Sequence, residues 1–246
     1  MKKRADQLLV DKGLVESVKE AQALIMAGAV LSGTRRIDKA GEMLKPDAQL
    51  SVKTKEHPYV SRGALKLVKG LDEAGFDPAG CVCMDVGCST GGFTEVLLLR
   101  GAKKVYAVDV GYGQLAEKLR TDSRVVVLER TNARNLTESE IPEPVDFIVC
   151  DASFIHLQTV LEKPLTFAKE TAFLVALIKP QFEAPKHLVG EGGIVRDEAL
   201  RARICEDMKL WINGQKGWRA AGVFESPIKG AQGNVEYLLT ARKTPQ

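Results

Sequence analysis

The sequence predicts an α/β domain built on a largely parallel sheet, preceded by a small, separate α+β module. Three observations predict it. From residue 62 onward short apolar runs alternate with helical stretches, the first quarter of the chain shows only short helices followed by short strands, and the basic excess is confined to that quarter. With 246 residues, 45% hydrophobic and 27% charged, the chain is long enough for two units and apolar enough to bury a core, which excludes wholesale disorder. Its longest apolar stretches, Ala172–Ile178 and Val96–Leu99, fall far short of the ~20 residues of a membrane-spanning helix.

In the first quarter, Ala5, Leu8, Leu9 and Val10 line one face of a short helix that Gly13 stops. Ser17 with Glu20 three residues on reads as a capping box for a helix over 18–27, ended by Gly28. Ala29-Val30-Leu31, a Ser32-Gly33 turn and a strand near residues 49–53 follow. Residues 1–62 carry 12 Lys/Arg against 8 Asp/Glu, a net +4, whereas residues 63–246 sum to −1. A module with that excess is suited to a negatively charged partner, nucleic acid before membrane. The run Arg4-Ala-Asp-Gln-Leu-Leu, Gly13-Leu14, Ser17, Ala21, Ile25, Gly28-Ala-Val30 and Leu50-Ser51-Val52 resembles an S4 domain, a small RNA-binding module. The resemblance implies RNA-phosphate contacts from the start of the second helix and the following loop. The candidates are Arg4, Lys19, Arg35 and Arg36, with Arg62 beyond them. The expected division is an S4-like domain over 1–56, a linker over 57–61 and a second domain over 62–246.

Pro58 breaks regular structure in the linker. Ser61 can then cap a helix running from Arg62 to Ala74. Apolar runs at 81–86, 105–108, 125–128, 145–150 and 173–178 alternate with helical stretches at 93–100, 114–119, 157–167 and 198–211. That alternation means right-handed βαβ units and a parallel sheet. Residues 222–225 and 235–241, joined by a Gly/Pro-rich loop, read as an antiparallel hairpin at the sheet edge.

Directly after the first of these strands stands Asp85-Val-Gly87-Cys-Ser89-Thr90-Gly91-Gly92-Phe93-Thr. The glycines permit a tight turn and a close ligand. The spacing is not the G-x-G-x-x-G of a dinucleotide fingerprint. Acid-x-Gly-x-x-x-Gly is the pattern of S-adenosylmethionine sites, where the acid faces an amino group instead of repelling a phosphate. Asp109 ends the second strand, where a carboxylate takes both ribose hydroxyls, and Asn132 lies beyond the third, where an adenine edge is read. Open α/β sheets bind ligands at these strand ends.

Four further residues fall at positions suited to one site: Lys66 on the preceding helix, Asp151 ending the fourth strand, Lys179 ending the fifth and Glu236 entering the last. Lys-Asp-Lys-Glu in this order resembles the tetrad of the 2′-O-ribose RNA methyltransferases related to FtsJ, which implies a Rossmann-like methyltransferase with a mixed seven-stranded sheet. Asp151 also borders the cofactor. A ribose hydroxyl needs orientation and a proton acceptor, while a sulfonium is an excellent leaving group. Lys179 is the candidate base. Burial and a second lysine favour its neutral form and nearby carboxylates its charged form; the sequence leaves both open. The end of the fourth strand reads Asp151-Ala-Ser-Phe, without the Pro-Pro-aromatic run of amino-group methyltransferases. Carbon-5 methylation would need a nucleophilic cysteine, and Cys150 and Cys88 read as packing residues.

Tyr59-Val-Ser-Arg-Gly-Ala-Leu-Lys66-Leu, the Asp85 loop, Asp151-Ala-Ser-Phe-Ile, Ile178-Lys-Pro-Gln-Phe-Glu183, Gly192-Gly-Ile-Val-Arg-Asp197 and Gly233-Asn-Val-Glu-Tyr237 stand in order behind the S4-like region. Together they resemble the TlyA family of rRNA methyltransferases, whose members also carry the name hemolysin. The resemblance implies S-adenosylmethionine-dependent 2′-O-methylation of cytidine in ribosomal RNA. A chain that starts on the S4-like helix and ends ten residues after Glu236 resembles the family's short form, which acts on large-subunit (23S) rRNA alone. Cys88 stands where the family pattern leads one to expect a small residue such as alanine. Rival classes are a membrane-lytic hemolysin, for which there is no amphipathic span, and a non-catalytic RNA-binding assembly factor, against which the complete tetrad speaks. Five cysteines with no C-x-x-C, and a basic start that runs into Ala5-Asp6-Gln7 instead of an apolar stretch, point to a reduced, cytoplasmic protein. No metal site, no membrane partner and a monomeric state are expected.

Overall fold

The computed structural model describes residues 2–26, 28–52 and 57–245. Ala27 and Lys53, which the sequence assigns to the second helix and a strand, and residues 54–56, the end of the expected S4-like domain, lie outside them. The chain divides into two compact units, Met1–Pro58 and Tyr59–Gln246.

The first unit holds strand β1 (Lys3–Arg4), helices α1 (Ala5–Asp11) and α2 (Val18–Met26), and strands β2 (Val30–Ser32), β3 (Arg35–Arg36), β4 (Met43–Leu44) and β5 (Leu50–Val52). β1 pairs with β4, and β2 lies between β3 and β5, all antiparallel. Its small core packs Ala5, Leu8 and Leu9 of α1 against Ala21 and Ile25 of α2 with Val30, Ile37 and Leu44. Spacings of three and four residues set these side chains on one helical stripe. Val10, expected on that stripe, is only partly buried. Ser17 Oγ accepts from the Glu20 amide at 3.2 Å as a cap should, but the Glu20 carboxylate accepts from the Glu16 amide, one residue earlier than a capping box requires. Asp6 is buried in this core. Arg4 grips it through two nitrogens at 3.0 and 2.7 Å, and Gln22 adds a third donor. The Arg4 guanidinium, above all, holds the Asp6 carboxyl down at about 2.

The second unit carries α3 (Ala64–Ala74), β6 (Val82–Val86), α4 (Gly92–Leu99), β7 (Lys104–Val108), α5 (Glu117–Arg120), β8 (Val125–Leu128), β9 (Val145–Cys150), α6 (Leu157–Leu161), β10 (Ala168–Ile178), α7 (Pro180–Glu183), α8 (Glu198–Gly214), β11 (Trp218–Glu225) and β12 (Tyr237–Lys243). The seven strands run in the order β11-β12-β10-β9-β6-β7-β8. The five from β10 to β8 are parallel, and β12 is antiparallel to both neighbours, so the expected edge hairpin is present. All five residues of β6 are buried, as a strand covered on both faces must be. Apolar layers on the two faces of the sheet close around it: Leu67, Leu71, Phe93 and Leu97 from α3 and α4 on one, Ile204, Met208 and Ile212 from α8 on the other.

Two helices depart from the sequence reading for local reasons. The stretch 157–167 is broken, because Pro164 cannot continue α6 and starts a separate 3-10 turn. α3 starts at Ala64, and the Ser61 hydroxyl accepts from the Gly63 amide at 3.1 Å in the preceding turn. The decisive feature for function is strand order. The chain leaves β6 toward β7 and β8, then returns to lay β9 on β6's other side. The loops after β6 and β9 therefore part at a topological switch point, where open sheets hold ligands.

Candidate active site

The loop after β6 is shaped by its glycines. Gly87 has φ +81°, and a Cβ there would lie 3.0 Å from Ala152 Cα across the switch point. Gly91 has φ +95°, and a Cβ would meet Leu119 Cδ1 at 2.3 Å. No other residue meets both demands. Ser89 is itself left-handed, at φ 47°; its amide donates to Asp109 Oδ2 at 2.8 Å, and its hydroxyl lies 3.3 Å from Gln114 Oε1. Asp109 Oδ1 accepts from the Gly111 amide at 2.7 Å. Asn132 Oδ1 caps the following turn by accepting from the Arg134 amide at 3.1 Å. Gly87, Ser89, Asp109 and Asn132 converge on one cleft of about 430 Å³, which Asp151 and Phe154 also line; Gly91, expected at the cofactor, packs against Leu119 and does not line it. A smaller pocket beside it is lined by Thr90, Gly92, Phe93, Asp151, Ser153 and Lys179.

Asp85, expected to face a ligand, lines neither cavity. It is fully buried, and its Oδ2 accepts from the Thr94 hydroxyl at 2.7 Å, which ties the end of β6 to the first turn of α4. Burial pushes its carboxyl up to about 7. A carboxyl whose folded value is raised gives its full stabilisation below its unfolded value near 4 and loses it as pH rises through the folded one. The wild-type protein is therefore expected to lose stability between pH 4 and 7, by at most about 4 kcal/mol, while Asp85→Asn stays flat. Urea midpoints measured at pH 5, 6, 7 and 8 check this; parallel curves for the two proteins would contradict it.

Lys66, Asp151, Lys179 and Glu236 come together at the carboxyl edge of the sheet. Lys66 Nζ lies 2.7 Å from Glu236 Oε2 and 3.5 Å from Asp151 Oδ2. Lys179 Nζ lies 2.6 Å from Asp151 Oδ1. Charges thus alternate along a line, Glu236–Lys66–Asp151–Lys179, and each Asp151 oxygen faces one lysine. The two lysines and Glu236 are buried, with side-chain exposures of 9, 8 and 3%. Buried ions hold only where such pairing offsets lost hydration. Gln181 Nε2 approaches Glu236 Oε1 at 3.4 Å.

Several residues on the tetrad, or on the short helix that follows Lys179, were not singled out from sequence. A Cβ on Gly230 would fall 2.0 Å from Glu236 Oε1, so backbone of the 226–234 loop packs directly on that carboxylate. Ser153 Oγ accepts from Lys179 Nζ at 2.8 Å. Buried Glu183 accepts from the Leu157 amide at 2.7 Å and sits 3.2 Å from His156 Nδ1. Each lies in a motif quoted above or in the Gly/Pro-rich loop, so position was legible although role was not. Burial pushes the Cys150 thiol up to about 12 and Cys88 well above the usual thiol value, which disfavours the nucleophilic thiolate at both.

The candidate RNA contacts are spread over both units. In the first, Lys19 is exposed. Arg35 pairs with Glu42, Arg36 with Asp38 at 2.7 Å, and Arg4 is committed to Asp6. Arg62, in the second, is exposed.

Residues 59–243 match the FtsJ-like methyltransferase family and residues 3–50 the S4 domain. The chain is 49% identical over 241 residues to the Mycobacterium tuberculosis "16S/23S rRNA (cytidine-2'-O)-methyltransferase TlyA", covering 97% of this chain and 89% of that one. It is 40% identical to "Hemolysin A" of Brachyspira hyodysenteriae, over 96% of this chain and 98% of the other. A solved structure from Streptococcus thermophilus, 38% identical, superposes with a TM-score of 0.75 over 100% of this chain and 90% of that one. With an S4 domain, an FtsJ-like domain and these relatives along nearly its whole length, the chain belongs to the TlyA family of methyltransferases.

Proposed function

We propose that this protein transfers the methyl group of S-adenosylmethionine to the 2′-hydroxyl of a cytidine in ribosomal RNA. The alternating Glu236–Lys66–Asp151–Lys179 line carries the reading, because its Asp151–Lys179 end lines a pocket together with Gly92 and Ser153. The neighbouring cleft fits the donor. Asp109 uses one lone pair of each oxygen on a backbone amide, which leaves acceptors for two ribose hydroxyls. Asn132 has its Oδ1 taken by the Arg134 amide, which leaves Nδ2 to donate to an adenine edge, and Gly87 and Ala152 line the same cleft. When bound, the donor supplies a methyl group on a positively charged sulfur that leaves readily. The protein's part is to hold the ribose in line, exclude water and accept one proton. Lys179 is the acceptor, Asp151 holds Lys179, and Lys66 with Glu236 fixes Asp151.

The M. tuberculosis relative is named for 16S and 23S rRNA, and a 33% identical Campylobacter jejuni relative for 23S alone. Large-subunit rRNA is common to both names and is the substrate we assign, with the cytoplasm, where ribosomes are, as the compartment we propose. Among the described residues no helix is long and apolar enough to cross a membrane. Purified protein incubated with labelled S-adenosylmethionine and unmodified ribosomal subunits should label large-subunit cytidine 2′-oxygens. Label on base carbon or nitrogen, or none, would overturn the reaction; label on the small subunit would overturn the restriction to 23S.

Two further results are expected. Asp109→Ala should weaken donor binding by roughly 1.5–3 kcal/mol, the worth of charge-assisted hydrogen bonds; unchanged affinity by calorimetry removes Asp109 from the site. Removal of residues 1–56 should leave donor affinity nearly intact and strongly reduce methylation of subunits. The removed segment carries the basic excess that would contact phosphates and position the enzyme. Full activity of the shortened protein at equal salt would make the S4 unit dispensable.

A further inference from the structure

The surroundings of Lys179 restrict how a proton can reach it. Three oxygens lie within reach of Nζ: Asp151 Oδ1 at 2.6 Å, the Asp151 carbonyl at 3.2 Å and Ser153 Oγ at 2.8 Å. Nζ donates hydrogen bonds to the Asp151 carbonyl and Ser153 Oγ and meets Asp151 Oδ1 as an ion pair, a set of partners that suits the charged form. A neutral amine has two N–H groups and one lone pair. Carboxylate and carbonyl oxygens only accept, whereas a serine hydroxyl both accepts and donates. Of the three, Ser153 alone can face the lone pair. Ser153 is also exposed and lines both the donor cleft and the pocket it shares with Lys179, while Lys179 is 7% exposed.

The Ser153 loop is held in register with Lys179. Phe154 adopts φ 64°, a costly conformation for a non-glycine residue, and its ring packs 5.0 Å from Phe182. Glu183 binds the Leu157 amide and His156. Phe182 and Glu183 belong to α7, which starts at the residue after Lys179. The hydroxyl and the amine are thus anchored to the same short helix.

We propose that Ser153 hands the ribose proton to Lys179, its hydroxyl standing between the substrate O2′ and Nζ. The inference rests on Lys179 being the base. As the O2′–CH3 bond forms and the S–CH3 bond breaks, the O2′ proton passes to Ser153 Oγ and the hydroxyl's own proton passes to the neutral Lys179 amine. The thioether leaves neutral, the serine hydroxyl is regenerated, and the positive charge of the sulfonium ends on Lys179. After product release the ammonium returns one proton to solvent by the reverse path.

Ser153→Ala should lower the single-turnover rate about 10²-fold, within the range for acid–base groups, with KM for RNA and donor affinity unchanged. Ser153→Thr, which keeps the hydroxyl, should recover most of the rate. In mixtures of light and heavy water the wild-type rate should depend non-linearly on deuterium fraction, as two protons move, and the alanine variant linearly. Independently of turnover, exchange of the Lys179 Nζ protons with water, followed by nitrogen-15 NMR in RNA-free protein, should slow in the alanine variant. A near-normal rate in Ser153→Ala, a change confined to KM, or unaltered Nζ exchange would each overturn the relay. Lys179→Ala separates the two ideas: a dead Lys179→Ala with a normal Ser153→Ala defeats the relay alone, and an active Lys179→Ala defeats the base itself.

Discussion

Lys179→Ala is expected to lower the rate of methyl transfer by roughly 10²–10⁴, with little change in RNA or donor affinity. The side chain ends against Asp151 and Ser153 and not in the donor cleft proper, so its loss removes a proton acceptor without removing a binding contact. Asp151 keeps its second lysine, Lys66, 3.5 Å away, which should preserve the fold of the loop. Lys179→Arg should be nearly as damaging: a guanidinium stays protonated and cannot take the ribose proton, directly or through a hydroxyl. If Lys179 only orients the hydroxyl, and proton loss to water follows methyl transfer, arginine would retain much of the rate. Single-turnover rates of both variants across pH decide between these. A near-wild-type arginine variant would end the role of Lys179 as base.

The four charged residues of that line were legible in the sequence because a parallel sheet brings successive strand ends to one edge. Asp151 and Lys179 each follow an apolar run, and strand polarity alone puts them side by side. Pairing was not legible. Lys66 spends its short contact on Glu236 and only a long one on Asp151, which depends on how the antiparallel β12 enters beside β10, a register no local pattern encodes. Asp85 shows the same limit from the other side. Acid-x-Gly sets a glycine turn at the end of β6, but whether its carboxylate points at a ligand or into the protein depends on Thr94, two residues into the next helix. In the S4 unit, Arg4 looks free for RNA until the burial of Asp6 claims it. Pro164, by contrast, is a local signal: a proline in the sequence is enough to end α6 before it.

Glu236→Ala carries the largest expected effect on stability, and it follows from burial alone. The mutation leaves the Lys66 ammonium 9% exposed with its one remaining carboxylate 3.5 Å away. An uncompensated buried charge of this kind costs about 3–5 kcal/mol. Replacing both ions with apolar residues of similar size, Lys66→Met with Glu236→Leu, removes the hydration penalty together with the attraction and is expected to restore most of that loss while leaving the protein inactive. The two tryptophans of the chain, Trp211 and Trp218, both belong to the unit over 59–246, so tryptophan fluorescence in urea reads this unit and not the S4 domain. The single variant should unfold at lower urea with an unchanged slope, and the double variant should return toward the wild-type midpoint. If Glu236→Ala unfolds with the wild type, Lys66 has found water or lost its proton, and the alternating line of charges would not be what holds Asp151 in place for Lys179.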